Sequence, residues 1–391
     1  MSKHPVTFLI ANLPYTLDIS DEKAWDFIQR EFQRDFPWLL DSGYLIILSG
    51  VGKGWCGRGQ RGCVVSRAAF RGIGKIPLDA LLAWMTHFVD ALAASRSGRV
   101  VGIAPTPEAG FGFALARSLA RKERVRLVVR VQGHTASRSL LVHRSRWRFR
   151  LLEWIESFVI RRADLVIPMG EFTRQLALKK GANQGRIIVL PFPVRWMDSA
   201  MITDLPPRPC VLFAGRLEKE KGVHILLEAL KHVKKAVPSV RLLIAGDGSY
   251  RQHLEELVGR LQLSQHVSFL GWLAPEEIWQ AYREAWVLVL PSILAEGLGM
   301  VLVEAGLMGR PVIGSGLGGI RDIIQHGYNG FLVPPGNAKA LAEAILTVLM
   351  NRDLAHQMGL ANLEVAWRYL SQRDEALERV RRAILALVNE Q

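Results

Sequence analysis

Two cations follow the first apolar stretch of the second half of the chain. Arg216 and Lys221 lie in the segment Gly215–Gly222, directly after a predicted strand at 211–215. Arg216 ends the strand and Lys221 opens the next predicted helix, so both are expected near one strand end. The N–H groups and partial positive charge of a helix N-terminus add to the attraction for an anion. The pattern predicts a diphosphate site that uses no metal, with an ordinary charged turn as the alternative.

Two carboxylates eight residues apart follow the predicted strand 286–290. The pattern predicts a helix that begins near Gly299, with Glu296 in the loop above its N-terminus and Glu304 one to two turns inside. The first N–H groups of the helix would point at a phosphate, and the two carboxylates would accept hydrogen bonds from hydroxyl groups on either side of it. Because Glu304 lies among apolar residues, it needs a polar partner. The alternative is a solvated helix residue.

Three further segments follow predicted strands. Gly246-Asp247-Gly248 would let a ligand approach the backbone, although a tight turn has the same sequence. Gly314–Gly319 matches GxGxxG, but the acidic residue that a dinucleotide site needs about 20 residues later is missing. We therefore predict a phosphate- or sugar-facing loop there and exclude a dehydrogenase. His134, after the strand 126–131, would hydrogen-bond a sugar or be a structural histidine.

Strand and helix candidates alternate in both halves, which predicts an α/β fold of two doubly wound domains with parallel sheets. Pro206–Pro209 is predicted to link them, and ligands are expected beyond the carboxyl ends of the strands. The end of the chain, roughly 353–389, is predicted to be helical. The predicted strands are 6–11, 44–49, 99–104, 126–131, 164–167, 187–190, 211–215, 240–245, 267–270, 286–290, 311–314 and 331–333, and the first-half helices are 22–34, 77–95, 109–122, 146–162 and 171–179.

The charge is unevenly distributed along the 391 residues. Residues 1–200 hold 30 Lys and Arg against 16 Asp and Glu, whereas residues 201–391 hold 20 of each, so the first half carries the whole +14. This asymmetry suggests that the first half meets something anionic. Two stretches free of acidic residues, 42–78 and 124–152, are rich in Arg, and aromatic residues lie within or next to them: Trp55, Phe70, Trp147, Phe149 and Trp154.

Cations interleaved with aromatics suit attachment to an anionic membrane surface, and a solvated or internally paired Arg-rich surface is the alternative. No run of 18 apolar residues and no signal peptide is recognisable, and the three cysteines form no CxxC pair. These features predict a cytoplasmic protein, with peripheral attachment to the inner face of the membrane as a further expectation. The 49% hydrophobic and 22% charged residues exclude a disordered chain.

Together these segments resemble glycosyltransferase family 4. The resemblance is carried by GRLEKEKG at 215–222, AGDG at 245–248, FLGWL at 269–273, EGLGMVLVEAGLMGRPVI at 296–313, GLGGIRDIIQHGYNGFLVPPGN at 316–337 and the run at 163–182. It implies a GT-B fold in which two Rossmann-like domains face each other across a cleft. Residues 1–200 would form the acceptor-side domain and 205–365 the nucleotide-sugar domain, with a final helix at about 370–391 crossing back to the first.

The resemblance also implies roles for single residues. Arg216 and Lys221 would hold the donor diphosphate, Glu296 would contact the transferred sugar, Glu304 the ribose hydroxyls, and His134 would face the donor sugar. The other predicted substrate-binding residues are Gly246, Asp247, Gly248, Gly271, Trp272 and Leu273 at the base, and Gly299, Met300 and Val301 at the phosphate. The sequence departs from the family pattern on the acceptor side, at Asn12–Tyr15, Pro191–Pro193 and the glycine-rich loop 50–62.

The resemblance implies a retaining hexosyltransferase that uses a nucleoside-diphosphate sugar and needs no cofactor. Because no Asp-x-Asp motif is present, we also expect it to work without a metal ion. The acceptor is expected to be lipid-linked or a cell-envelope glycan. A nucleotide-sugar epimerase of similar fold is one alternative. A basic nucleic-acid-binding protein is another, although no helix-turn-helix, zinc or single-strand-binding pattern supports it.

Overall fold

The computed structural model divides the chain into two compact units. The first contains Met1–Met169, Thr173–Pro193 and Asp374–Gln391, and the second contains Gly170–Phe172 and Val194–Arg373. The structure describes residues 6–11, 45–49, 55–59, 62–66, 85, 88–89, 91–92, 94–96, 99–120, 124–133, 146–192, 194 and 202–389.

The first unit contains a five-stranded parallel sheet. Its strands β1, β2, β5, β6 and β7 lie in the order β2-β1-β5-β6-β7, and a separate antiparallel pair is formed by β3 and β4. The elements are β1 Val6–Ala11, β2 Leu45–Ser49, β3 Trp55–Gly59, β4 Gly62–Ser66, β5 Arg99–Ala104, α1 Phe111–Leu119, β6 Val125–Val131, α2 Arg146–Arg162, β7 Leu165–Pro168 and α3 Glu171–Lys179. Strand β7 is a fully buried apolar run, as expected of a parallel sheet that helices cover.

The core of the first unit lies between this sheet and helices α1 and α2. Phe113 of α1 is fully buried, as are Leu127 and Val129 of β6. Helix α1 approaches β5 so closely that a Cβ at Gly102 would lie 2.7 Å from the ring of Phe113. The unit is therefore a packed α/β layer, as the alternation of strands and helices predicts.

The second unit contains a six-stranded parallel sheet in the order β10-β9-β8-β11-β12-β13. The chain moves outward from β8 to β10 and then returns to the other side of β8 at β11. The loops after β8 and β11 therefore meet at the point where the strand order reverses, where open α/β sheets bind ligands. The elements are β8 Cys210–Ala214, α4 Val223–Ala236, β9 Arg241–Ala245, α5 Arg251–Arg260, β10 Val267–Gly271, α6 Pro275–Glu284, β11 Val287–Leu290, α7 Met300–Leu307, β12 Val312–Ser315, α8 Ile320–Ile323, β13 Gly330–Val333, α9 Ala338–Leu349 and α10 Arg352–Asn389.

The proline run is not a free linker. The indole N–H of Trp286 donates to the carbonyl of Pro206 at 2.8 Å, and the buried guanidinium of Arg310 donates to the carbonyl of Thr203 at 2.7 Å. Burial lowers the pKa of Arg310 to about 10. These bonds attach the segment before β8 to the second unit, whose main part is Val194–Arg373. Prolines interrupt the regular elements there, as predicted, but carbonyl acceptors keep the segment docked.

Helix α10 is continuous from Arg352 to Asn389, and its residues from Asp374 onward belong to the first unit. The guanidinium of Arg99, at the start of β5, donates to the carbonyl of Val388 at 2.6 Å. The predicted return of the last helix to the first domain is therefore confirmed. Within the described part of the chain, none of the helices is both long and apolar enough to span a bilayer.

Most predicted elements are present, and two predictions are wrong. Residues 187–190 form no regular strand: Ile187 makes an isolated bridge to Val166, and the N–H groups of Ile188 and Leu190 donate to the carbonyls of Val166 and Pro168 in β7. The glycine-rich loop at 50–62 contains β3, which pairs with β4 in the register Trp55 to Ser66. Glycine weakens strand propensity, so the sequence pattern hides this hairpin. The predicted helix 22–34 lies outside the described residues.

Candidate active site

The loop after β8 brings Lys221 to a carboxylate. Lys221 ends a short 3₁₀ turn, and helix α4 begins two residues later at Val223. Its ammonium lies 2.7 and 2.9 Å from the two carboxylate oxygens of Glu296, in the loop after β11. The backbone N–H of Ile293 also donates to the carbonyl of Glu220 at 2.9 Å. The two loops at the switch point are therefore joined through both backbone and side chains.

Glu296 has a second partner that the sequence prediction missed. The hydroxyl of Ser292, a fully buried residue, donates to Oε1 of Glu296 at 2.5 Å. The side chains of Lys221 and Glu296 are only 17% and 18% exposed. One cation and one hydroxyl thus hold the carboxylate in place. The spacing Ser292 to Glu296 was visible in the sequence, but the hydrogen bond depends on the loop conformation.

Arg216 is placed differently from Lys221. Its side chain is 54% exposed, and its Nη2 lies 3.9 Å from Oε1 of Glu220. The contact is too long for a hydrogen bond and is exposed to water, so it holds the guanidinium weakly. Arg216 remains available to an anion that arrives at the end of β8.

Helix α7 begins at Met300, where the sequence predicts it. Gly299 is its N-cap and has a left-handed backbone, with φ of 84°. The first N–H groups of any helix lack an acceptor within the helix. The N–H groups at the start of α7 can therefore donate to an acceptor outside the helix. Val301 lies in the same first turn. The start of the helix is therefore where the sequence predicts it, and an anion site at residues 299–301 stays a prediction.

Glu304 has the polar partner that its apolar surroundings require. The phenol of Tyr282, on α6, donates to Oε2 of Glu304 at 2.7 Å. Tyr282 is fully buried, and burial, followed by the charge of Glu304, raises the pKa of its phenol well above the usual range. A neutral phenol therefore holds the carboxylate. The sequence indicated the need for a partner but not its location, 22 residues away on another helix.

The loops after β8, β9 and β10 touch one another through the backbone. The N–H of Gly246 donates to the carbonyl of Gly271 at 2.7 Å, and the N–H of Leu217 donates to the carbonyl of Asp247 at 2.8 Å. Gly246 has φ of 134°, and a Cβ there would lie 1.9 Å from the carbonyl oxygen of Gly215. The predicted base-binding residues thus lie on two adjoining loops. Gly248 belongs to the loop after β9. Trp272 and Leu273 belong to the loop after β10, and Trp272 is 77% exposed.

The GxGxxG-like segment serves a packing role that the sequence did not indicate. A Cβ at Gly318 would lie 2.4 Å from the carbonyl oxygen of Glu296, and one at Gly319 would lie 2.2 Å from that of Gly297. The N–H of Gly319 donates to the carbonyl of Glu296 at 2.9 Å. These two glycines are therefore explained by close contact with the Glu296 loop, and a phosphate-facing role is not needed to account for them.

Two of the predicted features cannot be located. His134 and Phe70 lie outside the described residues. In the part of the chain that the structure does describe, no three His, Cys, Asp or Glu side chains converge as metal ligands would.

Helix α2 of the first unit exposes large apolar side chains. Trp147 is 64% exposed, Leu151 44% and Trp154 55%, and their spacing places them on one face of the helix. Arg146 and Arg150 on the same helix are exposed as well. Trp154 is anchored by ring contacts to Phe158 and Phe111, at centroid distances of 5.2 and 6.0 Å. The helix thus presents apolar and cationic side chains together.

Comparison with solved structures identifies the class of fold. The chain superposes on sucrose-phosphate synthase from Thermosynechococcus elongatus with a TM-score of 0.73 and 19% identity, over 98% of this chain and 100% of that one. It superposes on Anabaena Alr3699/HepE, solved with UDP and glucose, with a TM-score of 0.67 and 21% identity, over 96% and 99% of the two chains. The fold is that of the GT-B glycosyltransferases.

Sequence comparison identifies the family. The family model described as "Glycosyl transferases group 1" matches residues 203–364, and that described as "Glycosyl transferase 4-like domain" matches residues 46–193. The chain belongs to glycosyltransferase family 4.

Two curated relatives are similar over part of their length. Phosphatidyl-myo-inositol mannosyltransferase from Mycobacterium leprae is 39% identical over 160 residues, which are 41% of this chain and 42% of that protein. Sulfoquinovosyl transferase SQD2 from Arabidopsis thaliana is 36% identical over 238 residues, 57% of this chain and 45% of that protein. The chain spans less than half the length of these relatives.

The contact between the β8 and β9 loops can be tested with two glycine variants. We expect Gly246→Ala to lower the melting temperature and to weaken nucleotide binding, because its Cβ would overlap the carbonyl oxygen of Gly215. Gly259→Ala is the control, since a Cβ there meets nothing within 4 Å and the residue lies inside helix α5. Alanine there should stabilise the protein by up to about 1 kcal/mol. Equal melting temperatures for the two variants would contradict the assignment.

Proposed function

We propose that the protein transfers a hexose from a nucleoside-diphosphate sugar to an acceptor, with retention of anomeric configuration and without a metal ion or cofactor. The observation that carries the proposal is the cluster of Lys221, Glu296 and Ser292 at the switch point, in the loops from which helices α4 and α7 start. A cation, a helix N-terminus and a fixed carboxylate suit the recognition of a phosphate and a sugar at once.

Each residue has a defined task in this proposal. Arg216, Lys221 and the first N–H groups of α7 neutralise the diphosphate as it becomes the leaving group, which is the task a metal performs elsewhere. Lys221 exchanges part of its contact with Glu296 for a donor phosphate. Glu296 then accepts hydrogen bonds from the hydroxyl groups of the sugar, and Glu304 accepts them from the ribose. His134 remains the predicted contact from the first domain.

Two alternatives are less well supported. A nucleotide-sugar epimerase would interconvert free donors without an acceptor, whereas the curated relatives described above bear transferase names. A nucleic-acid-binding function would use the basic first half. Helix α2, however, exposes the apolar side chains of Trp147 and Leu151 beside its arginines. We therefore favour transfer to an acceptor.

The roles of the two glutamates can be separated by isothermal titration. Glu304→Ala should weaken binding of the nucleoside diphosphate itself, because it removes the predicted ribose acceptor. Glu296→Ala should spare the free nucleoside diphosphate and weaken only the sugar-bearing donor. Each loss should be roughly 1.5–3 kcal/mol, as for other hydrogen bonds to charged groups. Glu343→Ala, an exposed residue of α9, is the control. Equal losses for both ligands in Glu296→Ala would remove the assignment of that residue.

Metal independence and stereochemistry form a second test. Transfer should survive treatment with EDTA, because Arg216, Lys221 and the start of α7 supply the positive charge. The product should show the anomeric configuration of the donor by NMR. Loss of transfer in EDTA that added Mg²⁺ or Mn²⁺ restores would contradict the metal-independent proposal. An inverted anomer would contradict retention.

We also propose that the acceptor is a lipid-linked or cell-envelope glycan and that helix α2 attaches the cytoplasmic protein to the inner face of an anionic membrane. Trp147, Leu151 and Trp154 provide the apolar contact, and Arg146 and Arg150 the attraction to acidic headgroups. At about 1 kcal/mol per basic residue near such a surface, several engaged arginines give reversible attachment. The similarity to a phosphatidyl-myo-inositol mannosyltransferase supports a lipid-borne acceptor.

Flotation with liposomes tests the attachment. Binding should rise with the fraction of anionic lipid and fall with increasing salt. The double variant Trp147→Ser/Leu151→Ser should float less at equal charge, because it removes only apolar area. Trp367→Ser is the matched control, since that tryptophan is 44% exposed on α10. No flotation of the wild-type protein at low salt on highly anionic liposomes would favour a soluble acceptor.

A further inference from the structure

Arg251 lies next to the two loops that are predicted to border the nucleobase. It is the first residue of helix α5, and its Nη1 is 3.0 Å from Oδ2 of Asp247. A Cβ built on Gly271 would lie 3.8 Å from the same nitrogen. Because Gly246 donates to the carbonyl of Gly271, the two loops and the guanidinium form one continuous edge beyond β9 and β10.

The guanidinium is held in one orientation from several sides. Its Nε donates to Oε1 of Glu255 at 2.8 Å, and its Cζ lies 5.9 Å from the ring centroid of Phe269. A hydrogen bond from the N–H of Gly248, followed by that from Arg251, lowers the pKa of Asp247, so this partner stays ionised. The two carboxylates thus use Nε and Nη1 of the planar guanidinium and leave the donors of Nη2.

One nitrogen of Arg251 has donors left over. Among the described residues, Nε and Nη1 have the acceptors just named, whereas no hydrogen bond from Nη2 is formed. The side chain is 34% exposed, so the guanidinium is accessible from the solvent beside the loops. A guanidinium only donates hydrogen bonds, and a partner at this point must be an acceptor.

We propose that Arg251 is a specificity-determining residue that donates from Nη2 to an exocyclic carbonyl oxygen of the donor's nucleobase. The inference rests on the proposed function, since it places the base of a nucleotide sugar at these loops. Uracil and guanine carry a carbonyl oxygen at the position where cytosine and adenine carry an amino group. An amino group opposite Nη2 would leave two donors facing each other, and unpaired polar groups are costly in a binding site. The site therefore selects keto bases.

An ordinary surface ion pair would behave differently. Exposed pairs such as Arg251 with Glu255, one helical turn apart, contribute little to stability. If Arg251 only stabilised the helix, its loss would weaken all nucleotides equally or none of them. The readout is the ratio of the affinities for nucleotides with keto and with amino bases, because a purely structural role of Arg251 would leave this ratio unchanged.

The experiment compares UDP with CDP, GDP with ADP, and inorganic pyrophosphate by isothermal titration. We expect the wild-type protein to bind at least one keto nucleotide roughly tenfold more tightly than its amino counterpart. In Arg251→Met this preference should largely disappear, while the affinity for pyrophosphate stays unchanged. Arg251→Lys keeps the charge without the planar fork and should retain only part of the preference. Arg260→Met, at the exposed end of the same helix, is the control and should behave as wild type.

The outcomes separate the two proposals. If the wild-type protein binds the nucleotides without preferring keto bases, or if both Arg251 variants keep the wild-type ratio, the role of Arg251 is overturned and the proposed function stands. If the wild-type protein binds neither nucleotides nor pyrophosphate, the proposed function fails, and the role of Arg251 fails with it. The UDP and GDP arms identify which keto base is preferred.

Discussion

The ion pair between Lys221 and Glu296 joins two loops that are 75 residues apart in sequence. Both side chains are less than one fifth exposed, so their attraction is screened less than that of a surface pair. Removing Glu296 would leave the largely buried ammonium of Lys221 without its carboxylate, and removing Lys221 would leave Glu296 with only the hydroxyl of Ser292, and either loss is costly. Without a ligand, the charges of Lys221 and Glu296 compensate each other in the crevice between β8 and β11. Under the proposed function, an anionic donor competes with Glu296 for the same ammonium, and its arrival releases the carboxylate for the sugar.

A polar network behind the site supports the helix that carries Glu304. Arg310 links the carbonyl of Thr203 to that of Tyr282, whose phenol in turn holds Glu304. The buried amide of Asn362 donates to the carbonyl of Leu302 at 3.3 Å, which ties α7 to α10. Buried polar groups of this kind favour a single packing of the surrounding elements only when each group has a hydrogen-bond partner. The position of Glu304 therefore depends on residues outside the predicted site, and this network keeps the first turn of α7 in place.

The sequence predicts elements better than side-chain partners. Helices α2 and α3 have the predicted bounds, because a strong apolar period and clear flanking residues define them. The start of α7 follows from Gly299, which is its N-cap. The partners Tyr282 and Ser292 depend on which loops and helices become neighbours, which a local pattern does not contain. The hairpin β3–β4 was missed because glycine and cysteine replace the β-branched residues typical of strands.

The arginines that the structure describes in the first half are of two kinds. Several use their donors within the first unit, so their positions are explained by internal bonds: Arg99 to Val388, Arg117 and Arg126 to Asp164, Arg124 to Ser95, Arg161 to Lys180, and Arg186 to Ala163. Internal bonds thus account for part of the basic composition. This agrees with the alternative in which the arginines are paired inside the fold.

The first two turns of helix α2 do not fit that explanation. Arg146 and Arg150 are exposed, and Trp147, Leu151 and Trp154 lie exposed beside them on the same helix. A soluble anionic polymer would attract the arginines but would gain little from the apolar side chains. A bilayer surface accepts both, because the headgroups attract the cations while the boundary with the acyl chains buries the apolar groups. The combination on one helix, rather than the net charge of +14, is therefore the stronger reason to place a lipid-borne acceptor next to the first unit.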